Sequence, residues 1–126
     1  MAEDVKKYIL VIDDEEDICW LLSAILNKKG FNTIVAGTLE QGAYLIRDYS
    51  PQLVFLDINL PDGSGLKRIH DLKELSPSSK FILMSSYATE GETLKAIHDG
   101  AIGFLGKPLN IQRLQSLLED SLNNKL

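Results

Sequence analysis

Three aspartates, a serine and a lysine stand where apolar runs of this sequence stop. Asp13 and Asp14 follow Tyr8–Ile12, and Asp57 follows Leu53–Leu56. Ser85 follows Phe81–Met84, and Lys107 follows Ala101–Leu105 after one residue, Gly106. Carboxylates are oxygen ligands for hard cations. A carboxylate is also a nucleophile that can carry a phosphoryl group covalently. A hydroxyl can donate to a phosphoryl oxygen, and an ammonium can neutralise charge on it. Two carboxylates about 5 Å apart repel by roughly 3 kcal/mol at an effective dielectric near 20. One lysine cannot balance three acids. A divalent cation, Mg²⁺ or Mn²⁺, can, and it would also bridge a carboxylate nucleophile to an incoming phosphoryl group.

The five residues act together only if the elements bring them together. The four runs named above and Thr33–Ala36 are mostly continuous rather than alternating. A strand that is apolar on both faces belongs in a sheet covered on both sides, usually a parallel one. Helical stripes lie between the runs. Ile18, Leu21, Leu22, Ile25, Leu26 and Lys29 form the first, with Gly30 as its stop. Thr38 with Gln41, and Thr89 with Glu92, are capping-box pairs for the second and fourth helices. Leu66, Ile69, Leu72 and Leu75 mark the third. Asn110 caps the fifth, with Ile111, Leu114, Leu117, Leu118 and Leu122 on its buried face. The alternation is β-α five times over. The strands carrying Thr33 and Gly103 are the most mixed, so they belong at the edges. The expected fold is an α/β, flavodoxin-like (βα)5 three-layer sandwich with a parallel five-stranded sheet of order 2-1-3-4-5. Ligands of such sheets bind beyond the carboxyl strand ends, where the order reverses. All five chemical residues then converge there.

Composition narrows the function. With 126 residues, 44% of them hydrophobic, the chain suits one domain spanning 1–126. Its net charge of −5 opposes direct nucleic-acid binding, which needs Lys and Arg to neutralise phosphates. The single cysteine, Cys19, forbids an internal disulfide and suits a reducing cytoplasm. Lys6 and Lys7 precede only five apolar residues, too few for a secretion signal. Ile18–Leu26 is too short to cross a bilayer. After Pro108 there is room for one helix, so no output domain is expected in this stretch.

The run Val11-Ile12-Asp13-Asp14-Glu15-Glu16-Asp17-Ile18, the segment Leu56-Asp57-Ile58-Asn59-Leu60-Pro61 with Gly65, and Gly106-Lys107-Pro108 together resemble the bacterial two-component response-regulator receiver family. The resemblance covers essentially the whole chain. It implies that Asp57 accepts a phosphoryl group from a histidine kinase or a histidine phosphotransfer protein. It implies that Asp14, Asp57 and the backbone carbonyl of Asn59 bind Mg²⁺, with Asp13 acting largely through water. Ser85 then meets the phosphoryl group and Phe104 swings inward. A downstream protein or output domain reads the face made by the fourth helix, fifth strand and fifth helix, and a phosphorylation-dependent dimer is a further expectation. Lys107–Pro108 is expected to be cis. Ser86 and Tyr87 flank the acceptor with Asn59; Tyr87 would shield the acyl phosphate from water. Such a domain is a signalling switch, catalysing only its own phosphorylation and dephosphorylation. The sequence departs from the common pattern at Ser85 for Thr, Ser86 for Ala or Gly, Leu109 for Phe and Gly63-Ser64 for Met-Asp, without losing a catalytic group.

Blander readings compete. Asp14 alone reads as a helix N-cap. Ser85 reads as a strand terminator and Phe104 as a core aromatic. His70 and His98 read as solvated. Trp20 falls opposite the first apolar stripe, so it should be exposed, and we read it as a docking contact for the phosphodonor. A haloacid-dehalogenase-like phosphatase would also use an aspartyl phosphate. It expects Asp-x-Asp after the first strand, where this chain has Asp13-Asp14-Glu15. A pseudo-receiver that never takes phosphate is the third reading. A P-loop fails because Ala101 and Pro108 stand where Gly and Ser or Thr are needed. An FMN phosphate would face the five-acid run Asp13–Asp17, which repels it.

Overall fold

A computed structural model describes residues 7–122. Lys6, part of the expectation that no secretion signal opens the chain, lies outside them. Five strands and five helices alternate: β1 (Tyr8–Ile12), α1 (Glu16–Lys28), β2 (Asn32–Ala36), α2 (Leu39–Tyr49), β3 (Leu53–Asp57), α3 (Gly65–Leu75), β4 (Lys80–Ser85), α4 (Glu90–His98), β5 (Ala101–Gly106) and α5 (Ile111–Leu122). All pairings in the main sheet are parallel, in the order β2-β1-β3-β4-β5. This is the flavodoxin-like order expected. Between β3 and α3, Asn59–Leu60 pairs antiparallel with Gly63–Ser64 in a two-residue ladder.

The continuous apolar runs are explained by two cores, one on each side of the sheet. Successive strand residues point to opposite faces. Leu10, Ile12, Val54 and Leu56 therefore pack beneath α2 and α3, against Leu39, Ile46, Ile69 and Leu72. Ile9, Val11, Leu53 and Phe55 pack on the other side, against Leu22, Leu26, Leu114 and Leu118 of α1 and α5. Every residue of β3 is buried. The edge strands are covered less completely: Val35 in β2 and Ile102 in β5 are exposed.

The caps differ in one detail from expectation. Thr89 and Glu92 form a complete capping box on α4, and Asn110 accepts from Arg113 N at 2.9 Å to start α5. At α2, Thr38 accepts from Gln41 N at 3.1 Å, but Gln41 Oε1 reaches back to Gly37 N rather than to Thr38. The reciprocal box is therefore absent there. Leu75, read as part of the third helix's stripe, and Ile111, expected on a buried face, are exposed; each is the terminal residue of its helix. Lys29 is also exposed, forming the C-cap of α1.

Candidate functional site

The ends of β1, β3 and β5 place the charged cluster. Beyond Ile12 the chain stays on the sheet for one residue, with Asp13 N donating to Ala36 O at 2.9 Å. Asp13 is buried, and its Oδ1 accepts from Glu15 N at 2.8 Å, turning the chain into α1. Asp57 is the last residue of β3 and is buried at the sheet's carboxyl edge. Its Oδ1 accepts from Asn59 N at 3.1 Å and its Oδ2 from Lys107 Nζ at 3.0 Å. Gly65 passes so close to Asp57 that a Cβ there would collide with the Asp57 carbonyl oxygen. Only glycine lets α3 begin at that distance. Lys107 N donates to Ser85 O at 2.8 Å, which carries the β4–β5 pairing past the last strand residues. The Lys107–Pro108 peptide is cis.

Lys107 draws the cluster together. Its ammonium lies 2.6 Å from Glu15 Oε1, 2.8 Å from Asp13 Oδ2 and 3.0 Å from Asp57 Oδ2, and the side chain is almost fully covered. The approach to Asp13 Oδ2 is a charge contact out of hydrogen-bond line, so that buried oxygen has no directed donor. Burial pushes the Asp57 carboxyl above its ordinary range; Lys107 and Asn59 N–H pull it back only in part, and Asp13 adds to the rise. One ammonium shared among three carboxylates does not offset the burial of Asp57. Burial disfavours the charged form of Lys107, but its hydrogen bonds to Glu15 and Asp57 and its ion-pair contact with Asp13 prevail and hold its pKa well above the usual lysine value. Cys19, whose thiol faces Asp13 O at 3.2 Å, is pushed up to about 11 by burial and the nearby acids, so it stays a neutral core residue.

A hard cation fits this set. Asp13, Asp14 and Asp57 each offer an oxygen, all within 4.8 Å of one another. Asp14 is exposed while the other two are buried, so the cluster opens to solvent on one side. Asp13 Oδ2 has no hydrogen-bond donor, and Asp57, raised chiefly by burial, is raised further by the Asp13 charge beside it, so a second cation would be favoured here. An all-oxygen donor set of this size suits Mg²⁺, which keeps several waters.

The shallow cleft over the cluster is lined by Asp14, Glu15, Asp57, Asn59, Ser86 and Lys107. Ser86 lines it, whereas Ser85 does not. The Ser85 hydroxyl is buried and donates to Tyr87 O at 2.7 Å, while Tyr87 N donates back at 3.1 Å. In this state it is turned into its own loop. Tyr87 is 82% exposed and is not among the residues that line the cleft. Phe104 is half-buried against the α2–α3 core, and its carbonyl accepts from Arg113 at 3.3 Å. Trp20 is 73% exposed, as its place on α1 suggests. His70 and His98 are exposed: His70 sits beside Asp71 and Glu74, and His98 beside Asp99. Two contributors escaped sequence reasoning. Glu15 read only as an acid at a helix start, although the acid run was its signal. Asp62 carried no local signal, because its partners lie 22 and 23 positions away.

Comparison with known proteins agrees with this architecture. Residues 9–119 match the model of the response regulator receiver domain. The transcriptional regulatory protein ZraR of Escherichia coli K12 is 31% identical over 114 residues, 90% of this chain and 26% of its own length. The KDP operon regulator KdpE of the same organism is 33% identical over 90% of this chain and 50% of its own length. The chain thus spans a quarter to a half of these relatives. Among solved structures, the beryllofluoride-activated NtrC4 receiver domain dimer superposes with a TM-score of 0.86 at 34% identity, covering 92% of this chain and 96% of that one. A Burkholderia pseudomallei response regulator, solved with a phosphorylated aspartic acid, a calcium ion and citrate, gives 0.80 at 26%, covering 96% and 76%.

Proposed function

The chain belongs to the response-regulator receiver family, and from that premise we propose that it is a two-component switch whose phosphoacceptor is Asp57. The carrying observation is the meeting of Asp13, Asp14 and Asp57 around one shared space, with Lys107 against them. Asp57 oxygen attacks the phosphorus of a phosphohistidine on a kinase or phosphotransfer protein. The O–P bond forms, the P–N bond breaks, and the imidazole leaves with the electron pair. Asp14, Asp57 and the Asn59 carbonyl would hold Mg²⁺ (or Mn²⁺), with Asp13 acting largely through water. Bound there, the ion neutralises charge on the phosphoryl oxygens. Lys107, in contact with Asp13 and Asp57, neutralises more of that charge and orients the acceptor. Ser85 reaches a phosphoryl oxygen only after leaving Tyr87 O, and Phe104 moves further inward in the same step. These two changes pass to the α4–β5–α5 face, where Leu94, Ile97, Ile102 and Ile111 are exposed.

Trp20 serves as a docking contact for the phosphodonor. The partner on the α4–β5–α5 face is a protein or output domain, or a second copy of the phosphorylated chain. With a net charge of −5, this domain leaves any nucleic-acid contact to other domains. This stretch is one receiver domain, and it works in the cytoplasm. Among the described residues no helix is long and apolar enough to cross a membrane. The phosphatase reading needs Asp13 as nucleophile. That residue is buried, with Oδ1 committed to Glu15 N, and is not among the residues lining the cleft.

Acetyl phosphate with Mg²⁺, followed by intact-mass measurement, tests the proposal. Wild type should gain one phosphoryl group and Asp57→Asn none. Equal labelling of both, or none in wild type, sinks it, and the second outcome favours the pseudo-receiver. Stability gives an independent check. The folded protein holds the Asp57 proton more tightly than the unfolded chain does, so its contribution favours folding at acid pH. That contribution is lost as pH rises from the ordinary carboxylate value through the raised one. Metal-free Asp57→Asn should therefore be more stable than wild type at pH 7, with the gap closing in acid. Mg²⁺ at a hundred times its Kd should add about 2.7 kcal/mol to wild type and much less to the variant. Urea midpoints read both.

A further inference from the structure

The loop that follows the acceptor is fastened to α2, and that fastening has a use. At the start of α2, Leu39 N donates to Asp62 Oδ1 at 2.8 Å and Glu40 N to Asp62 Oδ2 at 3.1 Å. The helix's own cap, Thr38, takes the next N–H, that of Gln41. The first N–H groups of a helix have no intrahelical partner. A side chain from another loop supplies two of the missing acceptors here. These bonds hold the Asp62 carboxyl below its ordinary value, led by the one from Leu39. A second contact fixes the same loop. Gly63, at φ +149, brings the turn so near that a Cβ would sit 3.1 Å from Leu39 Cδ1. The base of the loop is closed by the Asn59–Ser64 and Leu60–Gly63 pairs and by Gly65 N donating to Ile58 O at 2.8 Å.

We propose that Asp62 is a positioning residue for the cation site: by tying the loop tip to α2 it sets where the Asn59 carbonyl stands. This rests on the proposed role of Asn59 as a ligand. Asn59 lies three residues before Asp62, on the strand of the ladder that leads to the tip. With the tip free, the ladder is only two pairs long and the carbonyl swings with it. Residues that orient metal ligands from behind typically change affinity tenfold or more when removed.

Calorimetric Mg²⁺ titration of the whole chain tests this, with no phosphoryl donor present. Two variants are compared with wild type, each first shown folded by urea unfolding. Asp62→Ala removes the tether. Thr38→Ala removes the local cap of the same helix and leaves the loop untouched, so it controls for helix stability. Asp62→Ala should bind Mg²⁺ about tenfold more weakly, and Thr38→Ala should match wild type. Unchanged affinity in Asp62→Ala overturns the inference, as does equal weakening in both variants. A wild-type chain that binds no Mg²⁺ sinks the proposed cation site itself, which is a separate failure.

Discussion

On the β1 side of Asp57 the charged groups are already engaged. Lys107 touches Asp13, Glu15 and Asp57, and Asp13 is locked to the first turn of α1. On the β4 side the contacts turn away. Ser85 is bound to Tyr87, Tyr87 stands in solvent, and α4 beyond them buries only one side chain, Ala96. By contrast α1 buries Cys19, Leu22 and Leu26. The difference separates two tasks. On the proposed function, one wall is preset for a cation and a phosphoryl group, so little rearrangement would be needed on their arrival. The other wall is thinly anchored, so a small change in contacts can move it.

The largest break in that contrast should come from Lys107→Ala. It leaves two buried carboxylates without their cation, and phosphorylation by acetyl phosphate should slow by about 10²–10³-fold, as when one charge-stabilising donor is lost. Mg²⁺ should still bind, and more tightly, because a competing cation is gone. A rate within tenfold of wild type would mean the preset wall is not preset by this residue. Ser85→Ala should do less. It removes a group that is turned away at rest, so Mg²⁺ affinity should stay level. Phosphorylation should slow by about tenfold, the value of one hydrogen bond to a charged group. A fall in Mg²⁺ affinity would show that the two walls are not separate. Gly91→Ala is the mildest. A Cβ there meets nothing nearer than Thr89 Oγ1 at 3.9 Å, and α4 should gain about 1 kcal/mol. Amide exchange in α4 of the unphosphorylated protein should slow accordingly. If exchange in α4 is already as slow as in α1, the second wall is not loose.

Much of this was legible in the sequence, for physical reasons. Inner strands of a doubly covered sheet must be apolar on both faces, so Leu53–Leu56 announced its own position. A charge placed directly after such a run has to sit at the sheet edge, which is why Asp57 and Asp13 could be located without coordinates. What escaped depends on the direction of side chains. Glu15 looks like any acid at a helix start until Lys107 is seen 2.6 Å from it. Asp62 finds its partners across the chain, and no local pattern encodes that. Ser85 has the expected type at the expected place, but the hydroxyl rotor is settled by its neighbour two residues on. Leu75 and Ile111 keep helical phase with buried residues, yet each ends its helix and is exposed.

Burial along the whole of β3 carries one more consequence. A strand clamped from both sides acts as an anvil: force applied to its tip meets nothing that yields. On the proposed role of Asp57, a phosphoryl group fixed to that tip would send its displacement outward through the surrounding turns, and the signal would leave the molecule along its softest path.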